Sequence, residues 1–369
     1  MTTARLPGID VFRGATLTLM IVVNMSISED LSYAPLLHAR WHGLTLTDLV
    51  FPAFLLAVGA SMSLSLRRFQ GADDAAFFGK VATRTAVIFG LGFLLYWFPF
   101  LSIDGEGTIA VLPLAKTRML GVLQRIALCY CIAALVTRYV GSRGLYIFAA
   151  AALTLNWWVL ATFGDYTLSG NAALRLDKWL VGEDHLYRGE GIPFDPEGLL
   201  GTLPATVNVL AGYLAGRALL DARSAQWIHI RLVLVGAGLV LLAHLLDPWQ
   251  PINKKLWTTT YAIGSAGYSL MALAVVDQLS RKAVWPRVIG FFTAFGKNTL
   301  FIYLVAELGM SLLWLVKVGE SPLFMVLFQW LFVPWAGDKT GSLAFALTYL
   351  AACWLVARML DTRRIYIRI

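Results

Sequence analysis

Charge is what this chain has least of. Only 14% of its 369 residues are Asp, Glu, Lys or Arg, and 58% are hydrophobic; soluble domains carry roughly 25% charged residues. Cysteine is nearly as scarce. Cys129, Cys131 and Cys353 all lie inside apolar runs, which excludes an external disulfide framework and leaves them as small packing residues. There is no Walker loop, no HExxH, no GxSxG elbow and no Cys/His cluster at metal spacing, so nucleotide hydrolysis, zinc chemistry and a serine nucleophile have no motif to rest on, and no metal is expected. The start, MTTARLPGIDVFRG, lacks a basic n-region and a small-residue cleavage site, so the first apolar run is expected to stay as an anchor. The net charge of +8 would suggest nucleic acid in a soluble protein. Here the basic residues sit in short loops between apolar runs, and topology accounts for them.

What the chain has is apolar runs from end to end. A spanning helix needs ~20 mostly apolar residues, and such runs fall near 9–28, 44–66, 82–101, 118–139, 144–163, 199–219, 230–246, 257–279, 294–316 and 342–360. The expected fold is an all-α polytopic transmembrane helical bundle of about ten spans, one domain over 1–369, with the lipid bilayer as its solvent. The run SPLFMVLFQWLFVPW at 321–335 is short and Pro-bounded. It could be an eleventh span, a re-entrant segment or an interfacial helix. An odd count would carry the Arg-rich C-terminus, Arg358, Arg363, Arg364 and Arg368, to the outer side against the positive-inside rule. Ten spans with both termini cytoplasmic are therefore expected. Arg5 and Arg223 then lie inside, Asp104 and Glu106 outside, as do loops 29–43 and 164–198.

The segment around LHARWHGLTLTDLVFPAFLLAVGAS organises the rest. A polar loop with His38 and His42 runs past Asp48 into an apolar span, so imidazoles are held at a membrane surface. A neutral His is a good general base near pH 7, and Asn24, at the outer end of the first helix, is a plausible amide donor beside it. Charged groups inside apolar helices usually face a polar cavity or a partner. That singles out Gln124 and Arg125 in GVLQRIALCY, the pair Asp10 and Arg13, Asp48, Lys297 with Asn298, and Glu307. Asp195 and Glu197 precede a helix, where its dipole favours anions; simple capping explains them equally well. Lys254 and Lys255 in PINKKLW could hold a carboxylate or phosphate. From the residues alone the protein is a polytopic enzyme or a transporter, with a polar site near the outer face.

RLPGIDVFRGATLTLMIVVN, HARWHGLTLTDLVFPAFLLAVGASMSLS, LGVLQRIALCY, DPEGLLGTLPATVNVLAGYLAG, PINKKLWTTTYAIGSAG and FGKNTLFIY, in that order, resemble the membrane domain of heparan-α-glucosaminide N-acetyltransferases and their bacterial relatives. The resemblance covers nearly the whole chain. It implies transfer of an acetyl group from cytosolic acetyl-coenzyme A to the amino group of a glucosamine-type sugar or glycan across the bacterial cytoplasmic (inner) membrane. His38 matches the family's active-site His and Asn24 its nearby Asn; His42 stands where lysosomal members carry Asn. Basic residues at the inner mouth would meet the coenzyme's phosphates, and Gln124, Arg125, Asp48 and Asn298 would line its path. Asp195, Glu197, Lys254 and Lys255 would face the sugar. The large luminal N-terminal domain of the lysosomal enzyme has no counterpart in this sequence, so heparan sulfate itself is not implied. Relatives also suggest a homodimer, and those labelled as amino-sugar transporters keep that alternative open.

Overall fold

The computed structural model describes residues 6–69, 73–103, 109–222 and 225–367. Arg5, Asp104, Glu106, Arg223 and Arg368 lie outside the described residues. The early helices are α1 (Pro7–Asn24), α2 (Val50–Ser65), α3 (Asp74–Trp97), α4 (Val122–Tyr139), α5 (Ser142–Thr162) and the short α6 (Ala172–Leu180). Next come α7 (Leu199–Asp221), α8 (Ala225–Leu246), α9 (Thr259–Arg281), α10 (Pro286–Lys297) and α11 (Thr299–Leu315). The short α12 (Leu323–Leu331) and the long α13 (Val333–Thr362) close the chain. Strand structure among the described residues is confined to two antiparallel hairpins, Leu101–Ile103 with Ile109–Val111 and Lys317–Val318 with Ser321–Pro322.

The protein is an all-α polytopic bundle. Eight of these helices are long and apolar enough to cross a bilayer, and a ninth span is made if α10 and α11 count as one helix bent by 81°. The difference from ten lies in α1. It carries Asp10, Arg13 and Asn24, and most of it is buried against α2, α9, α10 and α13. Segment 321–335 is not an eleventh span: α12 has nine residues, about 14 Å of helix, too short to cross. α2, α7 and α9 are buried on most sides, whereas α3, α5 and α8 turn large apolar residues such as Ile147, Leu234 and Leu241 outward. An outward apolar face of that extent is a liability in water and fits lipid.

Helix packing in lipid relies on small residues that let backbones approach, and the chain supplies them in facing pairs. A Cβ on Gly212 would strike the Leu56 carbonyl, and one on Gly59 the Val209 carbonyl, so α2 and α7 touch backbone to backbone. The LAGYLAG motif thus has the close-packing role its composition suggested. Gly14 and Gly296 join α1 to α10 in the same way. Loops 25–49, 98–103, 109–121, 163–198 and 247–258 gather at one end of the bundle, which we call the His38 face.

An impermeant thiol reagent checks the orientation. Asp30 and Ser142 are both exposed on opposite faces. In intact cells Asp30→Cys should label and Ser142→Cys should not; the reverse pattern would invert the molecule in the membrane.

Candidate active site

The His38 face is built around Asp48, whose side chain is 1% exposed. Its Oδ2 accepts from the Ala39 amide (3.1 Å), the Thr45 amide (3.0 Å) and Thr45 Oγ1 (2.9 Å), while the Asp48 amide donates back to Thr45 Oγ1 (3.3 Å). Thr45-Leu-Thr-Asp48 is a capping box at the entry to α2. Helix start and loop fold are one structure, since the carboxylate that closes the box also closes the turn carrying His38. The remaining Oδ1 lies 2.7 Å from His38 Nδ1. A carboxylate accepts only, so Nδ1 carries the proton and Nε2 is left with its lone pair. Tyr261, deep in α9, donates to the Asp48 carbonyl at 2.6 Å and fixes the hub from below.

Lys254 completes the group. Its Nζ stands 3.0 Å from His38 Nδ1, 3.2 Å from Nε2 and 3.7 Å from Asp48 Oδ1. Near-equal distances to two ring nitrogens put the ammonium over the imidazole face, out of line with the Nε2 lone pair. Burial lowers the pKa of Lys254, with Lys255 adding to the effect and Asp48 and Glu197 opposing it. The site thus combines an oriented imidazole, a buried carboxylate and a poorly hydrated ammonium.

Further ion pairs join the loops. Arg118 donates from Nε to Asp195 Oδ2 (2.8 Å) and from Nη2 to Asp195 Oδ1 (2.7 Å) and Glu197 Oε2 (2.7 Å). It lies between the rings of Tyr96 and Tyr187. Burial would raise the Glu197 pKa, but Arg118, Arg125 and Lys254 together hold it below the ordinary value. Lys255 bridges Glu190 (2.6 Å) and the Arg40 carbonyl (3.1 Å), and Trp41 donates to the Tyr166 carbonyl (2.7 Å). Loop 29–43 is thereby clamped to loop 164–198. Asp177 caps α7 through the Leu199 amide (2.9 Å), and burial pushes its pKa up to about 7.

The sequence candidates therefore separate. His38, Asp48 and Lys254 meet. Asp195, Glu197 and Lys255 are taken up by Arg118 and by the loop clamp rather than presented free. Gln124 and Arg125 are fully buried just beneath this face. Arg125 donates to the Gly198 carbonyl (2.7 Å) and stacks on Trp257, while its Nε and Nη1, and both polar atoms of Gln124, have no hydrogen-bond partner. Asn298 does not join them: it sits at the α10–α11 break and binds the Ile365 carbonyl and the Ile367 amide. Asp48, expected along a coenzyme path, serves His38 instead. Asn24 donates to Glu307 Oε1 at 3.2 Å, and among the described residues no hydrogen bond links it to His38. His42 is exposed, with one long contact to Asn253 (3.4 Å). No group of three or more His, Cys, Asp or Glu among the described residues could hold a metal.

Residues 5–231 match the family model described as heparan-alpha-glucosaminide N-acetyltransferase, catalytic. The chain belongs to this family. The human and mouse heparan-alpha-glucosaminide N-acetyltransferases are each 26% identical to it, over 86% and 82% of this chain and 55% and 53% of their own lengths. The chain thus spans about half the length of the curated relatives it matches. Within the N-acetyltransferase match lie Asn24, His38, Asp48, Arg118, Arg125 and Glu197; Lys254, which completes the His38 group, lies beyond it. Arg118 had no sequence signal apart from a basic residue before a span. The capping box did have one, a Thr three residues ahead of Asp at the head of an apolar run.

Proposed function

We propose that the chain is a transmembrane acetyltransferase that moves an acetyl group from acetyl-coenzyme A, on the cytoplasmic side, to the amino group of a glucosamine-type sugar at the His38 face. The membrane is then the bacterial cytoplasmic membrane, with both termini inside. The observation that carries this is the Asp48–His38 pair, which leaves Nε2 as a free base on a rigid loop. Amide formation makes an N–C bond and breaks the thioester C–S bond. The amine must lose a proton, and His38 Nε2 takes it and returns it to the departing sulfur. Asp48 keeps the imidazole in the required tautomer and stabilises the imidazolium. Negative charge develops on the acetyl oxygen at the same moment, and the Lys254 ammonium beside the ring can stabilise it.

Beneath this face, Gln124 and Arg125 offer polar groups to coenzyme A. Buried polar groups without partners are rare in native structures, and Gln124 and Arg125 together present four such atoms. They would hold the amides of the pantetheine arm. When bound, the coenzyme supplies the activated acetyl group; Gln124 and Arg125 orient it, and the packed α2, α4 and α7 exclude water.

Acetyl-coenzyme A should raise the melting temperature of detergent-solubilised protein, since a ligand at 100 times its Kd stabilises the native state by about 2.7 kcal/mol. Mass spectrometry after adding glucosamine should show N-acetylglucosamine and free coenzyme A in equal amounts. If the nucleotide leaves the melting curve unmoved while proteoliposomes accumulate labelled N-acetylglucosamine, the protein is a transporter.

A further inference from the structure

The carboxylates at the His38 face are not equivalent. Asp48 faces His38 and Lys254, Asp195 and Glu197 share Arg118, and Glu190 holds Lys255. Glu307 has no cation: among the described residues its side chain has a single hydrogen-bond partner, the Asn24 amide at 3.2 Å. It stands on α11, within the bent span, where an uncompensated carboxylate is costly and marks a place for a partner. It also borders the polar region of Arg118 and Glu197. Tyr303 and Tyr96 are within electrostatic reach of Glu307 and of Glu197 and Arg118 alike. Asn24 is exposed, and its side-chain oxygen has no hydrogen-bond partner among the described residues.

We infer that Glu307 and Asn24 form the subsite that receives the protonated amine of the acceptor. The inference rests on the acetyl-transfer function proposed above. An ammonium carries three N–H donors, and here it meets a carboxylate without a cation and an amide oxygen without a donor; one proton passes to Glu307 to free the nitrogen lone pair, and His38 takes a second as the amide forms. The same charge repels the coenzyme's phosphates, so the subsite separates acceptor from donor. It also selects amine over hydroxyl: a neutral sugar would leave the carboxylate uncompensated, and a site built for one polar group rejects the analogue that lacks it. Asn24 then acts at the acceptor rather than on His38.

Glu307→Gln tests this cleanly, because its amide oxygen can still accept from Asn24 while the charge is gone. Binding of glucosamine and of glucose, which differ only by amine for hydroxyl at one carbon, is measured by calorimetry on solubilised wild-type protein and on the variant. Wild type should prefer glucosamine by about tenfold or more, the usual range for a hydrogen bond to a charged group. The variant should lose that preference, and its KM for glucosamine should rise by a similar factor while its KM for acetyl-coenzyme A stays constant. A wild-type protein that binds both sugars equally, or a variant that keeps the preference, overturns the inference. Charge-dependent binding without any N-acetylglucosamine produced would leave the subsite standing and remove the acetyl-transfer function instead.

Discussion

His38→Ala should lower N-acetylglucosamine formation by about 10²–10⁴-fold, the usual contribution of a general base, with little change in melting temperature. The two halves of that result have separate causes. His38 Nε2 is the base, so its loss removes proton transfer. The ring is 40% exposed and its loss empties no core, while Asp48 still closes the loop through Ala39 and Thr45. Acetyl-coenzyme A should bind as before. His42→Ala is the internal comparison: the ring is exposed and its one contact is long, so turnover should stay near wild type. Normal turnover in His38→Ala would remove this residue from the mechanism and move attention to Lys254.

Asp48→Asn should cost as much in rate and much more in stability. Four donors are aimed at this carboxylate, one each from His38 and Ala39 and two from Thr45, and all need an acceptor on a side chain that is 1% exposed. The amide group of Asn offers one oxygen where Asp offers two. One arrangement leaves two backbone amides, those of Ala39 and Thr45, facing an NH₂; the other turns the NH₂ to His38 and drives the ring proton to Nε2, the wrong tautomer for a base. In serine proteases the equivalent loss of tautomer control costs about 10⁴ in turnover. Leaving a buried donor without its acceptor costs about 1–3 kcal/mol, so the melting temperature should fall as well. Turnover and thermal melts measured side by side on the two variants separate base from scaffold. A melting curve for Asp48→Asn superimposable on wild type would show that the hub does not hold the loop.

Long-range apolar patterning made the bundle legible in the sequence, because lipid imposes a strong and simple rule on every span. It failed where the rule weakens. α1 keeps Asp10, Arg13 and Asn24 on a helix buried by its neighbours, and α10 and α11 turn sharply at Asn298 within what reads as one apolar run. At the site, His38 stood out by its residue type in an outward loop and by the resemblance. Its partners were harder to see. Asp48 looked like lining because its bonds run to backbone amides nearby, and Lys254 comes from a loop 216 residues away. Asp195 and Glu197 suit a cap and a ligand equally well in the sequence, and their charge is spent on Arg118, a pairing that only the fold creates.

The bend at Asn298 gives the C-terminal tail leverage over the opposite side of the molecule. Both side-chain hydrogen bonds of Asn298 go to residues 365 and 367, and Arg13 holds the Gly296 carbonyl one step before the break. The pivot of α11 is therefore bolted to the tail and to α1 together. From that pivot to Glu307 the arm is nine residues, about 14 Å of helix, so a swing of about 5° carries the carboxylate roughly 1 Å. Alignment of Asn24 with Glu307 is in this sense set from the far end of the chain, by a joint that touches neither.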